Sequence, residues 1–94
     1  MADFMVRVEL LKADWEDYDE LHAGMELLGL KKTVVFSDGS IRKLPIGTYF
    51  GTSSLEITDL RERIRTLATP LSAHGGPWIF VSQSENWSAW LPTA

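Results

Sequence analysis

The sequence of 94 residues contains no cysteine. That excludes a disulfide staple and a thiolate metal site, and it fits a reducing compartment. Nor is there an apolar run long enough to cross a membrane. The opening stretch MADFMVRVELLK interrupts its apolar residues with Asp3, Arg7 and Glu9, so it reads as neither a signal peptide nor an anchor. Low-complexity segments are missing, and a chain this short has no room for two cores. The expectation is one domain over residues 1–94, soluble and cytoplasmic, with no membrane partner. Histidine is scarce: His22 and His74 stand alone, without metal-ligand spacing, an HExxH pattern or a catalytic triad. No metal and no cofactor are expected. A formal charge of −4 argues against broad non-specific nucleic-acid binding, and DNA is not an expected partner.

What the chain does have is aromatic bulk: four Trp, four Phe and two Tyr. Each buries a large area, which helps a small domain offset its folding entropy. Charge is unevenly spread. Residues 1–30 carry eight acids and two bases, residues 31–65 carry seven bases and four acids, and the last 29 residues carry only Glu85. Solvated helix and strand faces account for both blocks. The basic middle also permits a local patch for a polyanion.

Hydrophobic period locates the elements. Phe4, Val6, Val8 and Leu10 alternate with Met5, Arg7, Glu9 and Leu11, predicting a strand over 3–12 with one apolar face. Asp14 is a good N-cap, and Tyr18, Leu21, His22, Met25 and Leu28 recur at helical spacing. A helix from Trp15 to Leu28 follows, ended by Gly29 at C′. Gly24 inside it would let the helix pack closely on the sheet. Lys32–Ser37 is β-branched and aromatic, a second strand. Asp38-Gly39 predicts a type I′ hairpin turn, and Ile41–Gly51 returns as the third strand. Pro45 cannot donate to a ladder and marks a bulge, an edge or a break, with Gly47 reinforcing the irregularity. A second helix starts with Thr58 as N-cap, carries Leu60, Ile64, Leu67, Ala68 and Leu71, and stops near Pro70. The loop SAHGGP precedes a fourth strand, Trp78–Gln83, and the tail SENWSAWLPTA.

The order βαββαβ plus a tail is the split βαβ, or ferredoxin-like, arrangement. It implies an α+β domain: a four-stranded antiparallel sheet with two helices on one face, and an aromatic tail able to add a strand. The other face is left for water, a ligand or a second subunit, and Met5 and Arg7 lie there by parity. Trp87 and Trp90 are too apolar to leave bare. A homodimer with Met5, Trp87 and Trp90 at its interface is the expectation.

The run DGSIRKLPIGTYFGTSSLEITDLRERI resembles the hairpin and second helix of the GhoS-type antitoxins of bacterial type V toxin–antitoxin systems. The matching features are the turn ahead of Arg42 and Leu44, Phe50 ahead of Thr52-Ser53-Ser54-Leu55, and an acid-bearing start to the second helix. The opening MVRVELL, followed by a cap and an aromatic helix, fits as well, so the likeness spans most of the chain. The resemblance implies a small ferredoxin-like endoribonuclease that cleaves the messenger of a membrane-damaging toxin. Such proteins look like the small CRISPR-associated nuclease subunit, which works around a metal-binding Asp at the end of its first strand. Here that strand ends Leu10-Leu11-Lys12, and the nearest acid, Asp14, reads as a helix cap. The expected chemistry is therefore metal-independent.

Cleaving RNA without a metal requires a base for the 2′-OH and cations for the charge of the phosphorane. His22 lies on the buried helical stripe and reads as a core or boundary histidine. His74 lies in a Gly-rich loop and reads as functional or merely exposed. That leaves arginine, which binds phosphate bidentately but is a poor base. Arg42, where the resemblance places a basic residue, and Arg7, on the open face of a central strand, are the candidate catalytic residues. Tyr49 or Asp38 would assist. Lys43, Tyr49 and Arg7 are the candidate RNA contacts, and Phe50, Trp87 and Trp90 are further aromatics able to stack bases. The competing reading of Arg42 and Lys43 is as edge-strand cations that deter aggregation. Two functions stand: an RNA-cleaving, antitoxin-like endoribonuclease, or a non-catalytic dimeric module of the same fold that binds RNA or protein.

Overall fold

The alternation at the N-terminus becomes strand β1, Ala2–Glu9, whose even-numbered residues Phe4, Val6 and Val8 are buried. This is read from a computed structural model that describes residues 1–94. The strand stops short of the expected Lys12. Leu11 leaves the ladder: its N–H donates to the Ser72 hydroxyl at 2.8 Å, and its carbonyl accepts from the Ala73 N–H at 2.9 Å. Lys12, at φ +50°, then turns the chain into helix α1, Trp15–Leu27.

Helix α1 opens on a reciprocal cap. The Asp14 carboxylate accepts from the Asp17 N–H at 3.0 Å, and the Asp17 carboxylate accepts from the Asp14 N–H at 3.1 Å. Two free donors of the first turn are satisfied, and both acids sit at the positive end of the helix dipole. Leu28 is the C-cap, and Gly29 carries the chain out of the helix. Gly24 packs against the second helix, not the sheet: a Cβ there would run into the Leu67 side chain.

The expected second strand shrinks to Thr33–Val35 with a further short strand, Leu30–Lys31, ahead of it, and the expected third strand is cut in two. Leu30–Lys31 (β2) pairs with Thr48–Ser53 (β5), while Thr33–Val35 (β3) and Ile41–Lys43 (β4) form a separate two-stranded sheet. The cut falls at Pro45–Thr48, where the Thr48 N–H donates to the Pro45 carbonyl at 2.9 Å in a tight turn. Gly47 holds its third position at φ +82°, and a Cβ there would meet the Val8 carbonyl. Only glycine accepts both the backbone angle and the approach of β1. The β3–β4 turn also differs from the expected type I′. Gly39 has φ +86° but Asp38 is not at positive φ, and the Phe36 N–H donates to the Ser40 carbonyl at 2.9 Å. This is a three-residue loop with glycine in the left-handed position, and Asp38 instead bonds the Ser40 N–H and hydroxyl.

Helix α2 is Ile57–Ala68, capped by Glu56 rather than Thr58: the Glu56 carboxylate accepts from the Thr58 N–H at 3.1 Å. A single 3₁₀ turn at Thr69–Leu71 takes up Pro70. Strand β6, Trp78–Gln83, completes the main sheet, whose order is β2-β5-β1-β6 with antiparallel neighbours. Phe4, Val6, Val8, Leu30 and Tyr49 of the sheet pack with Leu21 and Met25 of α1 and with Leu60, Ile64 and Ala68 of α2. Both helices thus clothe one face of the sheet. No helix is long and apolar enough to cross a membrane.

Two glycines separate space from backbone angle. A Cβ at Gly51 would strike the backbone of Gly29 and sit 3.0 Å from the Leu30 Cα, neither of which can rotate away. Gly51→Ala is expected to cost about 2–3 kcal/mol by prying β2 off β5. Gly39 faces open space, so Gly39→Ala should cost only the left-handed conformation, about 1 kcal/mol. Urea midpoints of the two variants check the contrast.

Candidate functional site

Alternation exposes the second half of every strand of the main sheet. Register sets these residues in rows across the bare face: Lys31, Phe50, Met5 and Ser82 in one, Thr48, Arg7 and Phe80 in the next, Glu9 and Trp78 beyond. Phe80 is 65% exposed and Trp78 60% exposed. Cross-strand neighbours on one face are within reach of each other, so two large aromatics, Phe50 and Met5 surround one guanidinium. Arg7 is half exposed. It donates to the Ile46 carbonyl of the Pro45–Thr48 turn and lies 3.9 Å from the Glu9 carboxylate, a loose pair in water. Met5 and Arg7 stand where parity places them, on the face away from the helices.

Tyr49 does not. It is 0% exposed, in the core beneath the helices, and cannot stack a base. The aromatic of β5 on the open face is its neighbour Phe50, because successive strand residues alternate sides.

Arg42 is committed to its own chain. Its Nε donates to the Ser40 hydroxyl at 2.9 Å and its Nη1 to the Leu91 carbonyl at 2.8 Å. The Asp38 carboxylate lies 4.0 Å away, and the guanidinium sits over the Phe36 ring, 4.6 Å from its centre. These contacts fasten the tail to the hairpin. The Lys43 N–H donates to the Pro92 carbonyl and the Ala94 N–H to the Ile41 carbonyl, each at 3.0 Å, so the tail pairs with β4 of its own chain. Trp87 covers the junction, its ring 6.0 Å from that of Phe36 and 5.4 Å from that of Phe50. Trp90 is 99% exposed. Asp38 is a weak base: the hydrogen bonds from the Ser40 hydroxyl and N–H hold its carboxyl below the usual range.

A second concavity opens between α1 and the hairpin, a cleft of about 340 Å³. Trp15, Asp19 and His22, at helical spacing on α1, form one wall, and Lys32, Lys43 and Ile46 form the other. The Leu44 N–H bonds the Lys32 carbonyl at 2.9 Å and Thr33 pairs with Lys43, so hairpin register brings the two lysines to one edge. The His22 Nδ1 lies 2.7 Å from the buried Tyr49 hydroxyl. Burial, and secondarily the nearby Lys32 ammonium, lower the His22 pKa, while Asp19 opposes them. Burial also pushes the Tyr49 phenol far up, so it keeps its proton. His22 is the half-buried boundary histidine that the sequence allows, while Trp15 and Lys32 carry no such signal there. The trace of this wall in the sequence is the i, i+4, i+7 run Trp15-Asp19-His22, which borders the apolar stripe. His74 lies exposed in its loop, away from this cleft, and no group of three His, Asp or Glu side chains gathers to hold a metal ion.

Because folded His22 binds its proton less tightly than the unfolded value of 6.5, the unfolded state holds more proton between the two values. Stability is therefore expected to be full above that value and to fall as pH drops through it toward the lowered one. Urea midpoints at several pH values, compared with His22→Gln, check it: the variant should lose this part of the slope. Arg42→Ala should free the tail and cost about 1–3 kcal/mol, with faster proteolysis after residue 84 and a red-shifted Trp emission. Compared with known proteins, the chain matches no family model and no curated protein, so its functional reading rests on this geometry.

Proposed function

We propose that this chain is a ferredoxin-like, RNA-cleaving protein of the GhoS-like antitoxin kind, working without a metal. The strand order β2-β5-β1-β6, with β3–β4 as an outgrown hairpin, supports that fold. One observation carries the function: a sheet face on which exposed Phe80 and Trp78 flank Arg7, with Met5 and Phe50 half-buried beside them. Single-stranded RNA is bound on such faces by stacking unpaired bases on aromatics, with cations on the phosphates. Arg7 is the guanidinium placed to meet a phosphate there and to stabilise the charge of an anionic transition state, and the Glu9 carboxylate, 3.9 Å from it on the same face, is the group that takes the 2′-OH proton. Arg42 contributes through the hairpin it braces, which presents Lys43. The substrate in this reading is a toxin messenger, met in the cytoplasm.

The commitment of Arg42 to Leu91, Ser40 and Phe36 favours a second reading, a non-catalytic dimeric module. In it the open face and the exposed Trp90 bind RNA or a second copy and cut nothing.

The test is incubation of purified protein with short single-stranded RNAs in chelator at low salt, where phosphate contacts are strongest. Discrete products that disappear in Arg7→Ala, with the fold intact, are the expected result. Phe80→Ala should weaken RNA binding by about 1–3 kcal/mol, the worth of one stacked base. Binding without products moves the chain to the second reading. Absence of binding at low salt overturns both RNA readings, and sedimentation equilibrium then decides whether the face joins two copies.

A further inference from the structure

We propose that the cleft between α1 and the β3–β4 hairpin is a binding site for a phosphate group carried on a nucleoside, held by His22, Lys32 and Lys43 and flanked by Trp15. Its role in RNA handling rests on the function proposed above; the phosphate site itself stands on its own geometry.

Hydrogen-bond direction carries the inference. The Tyr49 hydroxyl is buried, and its one partner is the His22 Nδ1 at 2.7 Å. Tyr49 keeps its proton, since burial disfavours the phenolate. With no other acceptor in reach, that proton is donated to Nδ1. Neutral His22 must then carry its own hydrogen on Nε2, at the ring edge away from Tyr49. His22 is thus a donor to the cleft and not a base. The two neighbouring groups on the opposite wall, the ammoniums of Lys32 and Lys43, are donors without any acceptor capacity. The charged groups around the His22 ring are Asp19 on its own helix and Lys32 from the strand side, with Glu26 and Lys31 lining the adjoining hollow; Asp19 and Ala94 line the cleft together with the two lysines. Neither lysine is in an ion pair, although the chain as a whole is acidic. Three donors lining one cleft match an anion with several acceptor oxygens.

Trp15 adds the second half of the ligand. It occupies the first position of α1, is 71% exposed, and borders the cleft on the wall facing the lysines. An indole left bare at the rim of this cleft offers a stacking plane to a base attached to the bound phosphate. The nucleoside phosphate has two sources, a free nucleotide or a link of an RNA strand.

The experiment follows backbone and His side-chain NMR signals of the whole chain during titration at neutral pH. The three probes are inorganic phosphate, uridine 5′-monophosphate and an eight-nucleotide single-stranded RNA. The expected result is movement of His22, Lys32, Thr33 and Lys43 by phosphate and by the nucleotide, with the Nε2–H form of His22 retained. The double variant K32M/K43M, altered only at exposed positions, should weaken both by at least about tenfold. Trp15→Ala should erase the nucleotide's advantage over phosphate. Cleft signals that also move with RNA assign the phosphate to the RNA strand; cleft signals that move with nucleotide alone assign it to a free nucleotide. Phosphate binding unchanged in the double variant, or an Nδ1–H histidine, overturns the site. If RNA shifts Arg7 and Phe80 while no probe moves the cleft, the cleft proposal fails and the RNA-binding face survives.

Discussion

Two helices cover one face of a four-stranded sheet and no more. At about 10 Å across each, they span about 20 Å, close to the width of four strands spaced about 4.8 Å apart. On the other side the chain supplies only Trp87 of the tail, which packs on Phe50 at one edge. Every strand of the main sheet therefore keeps alternate residues in the open, and their identity becomes informative. Strands facing only water carry mostly polar residues there. Here the positions are held by Met5, Phe50, Trp78 and Phe80, with Arg7 among them. Exposed apolar area such as that of Trp78 and Phe80 is costly to leave hydrated.

A second constraint acts through the Pro45–Thr48 turn. Proline cannot donate to a ladder, and Gly47 is held where β1 comes too near for any side chain. The long hairpin expected from its flanking strands is cut there. Its outer half swings out as β3–β4 and leaves a gap beside α1. An edge strand thrown clear of the main sheet needs cover, and the tail provides it by pairing with β4 under the grip of Arg42. A cation that the sequence marked for chemistry thus serves the architecture, at a contact no local pattern could show, because Leu91 is 49 residues away.

What was legible in the sequence follows from how local each signal is. The alternation of β1, the cap and stripe of α1, and the run Trp78–Gln83 are written in neighbouring residues and appear within a few positions of where they were expected. Pro45 and Gly47 announced an irregularity without saying that it would divide the sheet. Tyr49 and Phe50 cannot both meet RNA, because neighbouring strand residues face opposite sides, and the sequence does not say which of the two is buried. A strand drawn through Pro45 carries no correct alternation beyond it, and a single residue's displacement exchanges the buried face for the open one. Thr58 lost the cap to Glu56 because any nearby acceptor two residues from the donor serves equally well. The cleft was the least visible feature. It joins a helix wall to a hairpin edge, and only tertiary packing sets Lys32 and Lys43 opposite His22.

The open face and the cleft share a wall. Arg7, on the face, bonds the Ile46 carbonyl, while Ile46 itself lines the cleft. A backbone turn one residue thick is the boundary between the open sheet face and the cleft. An extended polyanion lying along the sheet would meet Arg7 first, and then Lys43 at the same turn's entrance. The contact between Arg7 and the turn is exposed and therefore weak, so the guanidinium can trade the Ile46 carbonyl for a phosphate oxygen at small cost. His22 has no such freedom. Its ring is fixed from behind by Tyr49, and that fixity is what makes it a dependable donor: the partner holding its tautomer is buried, protonated and unable to leave.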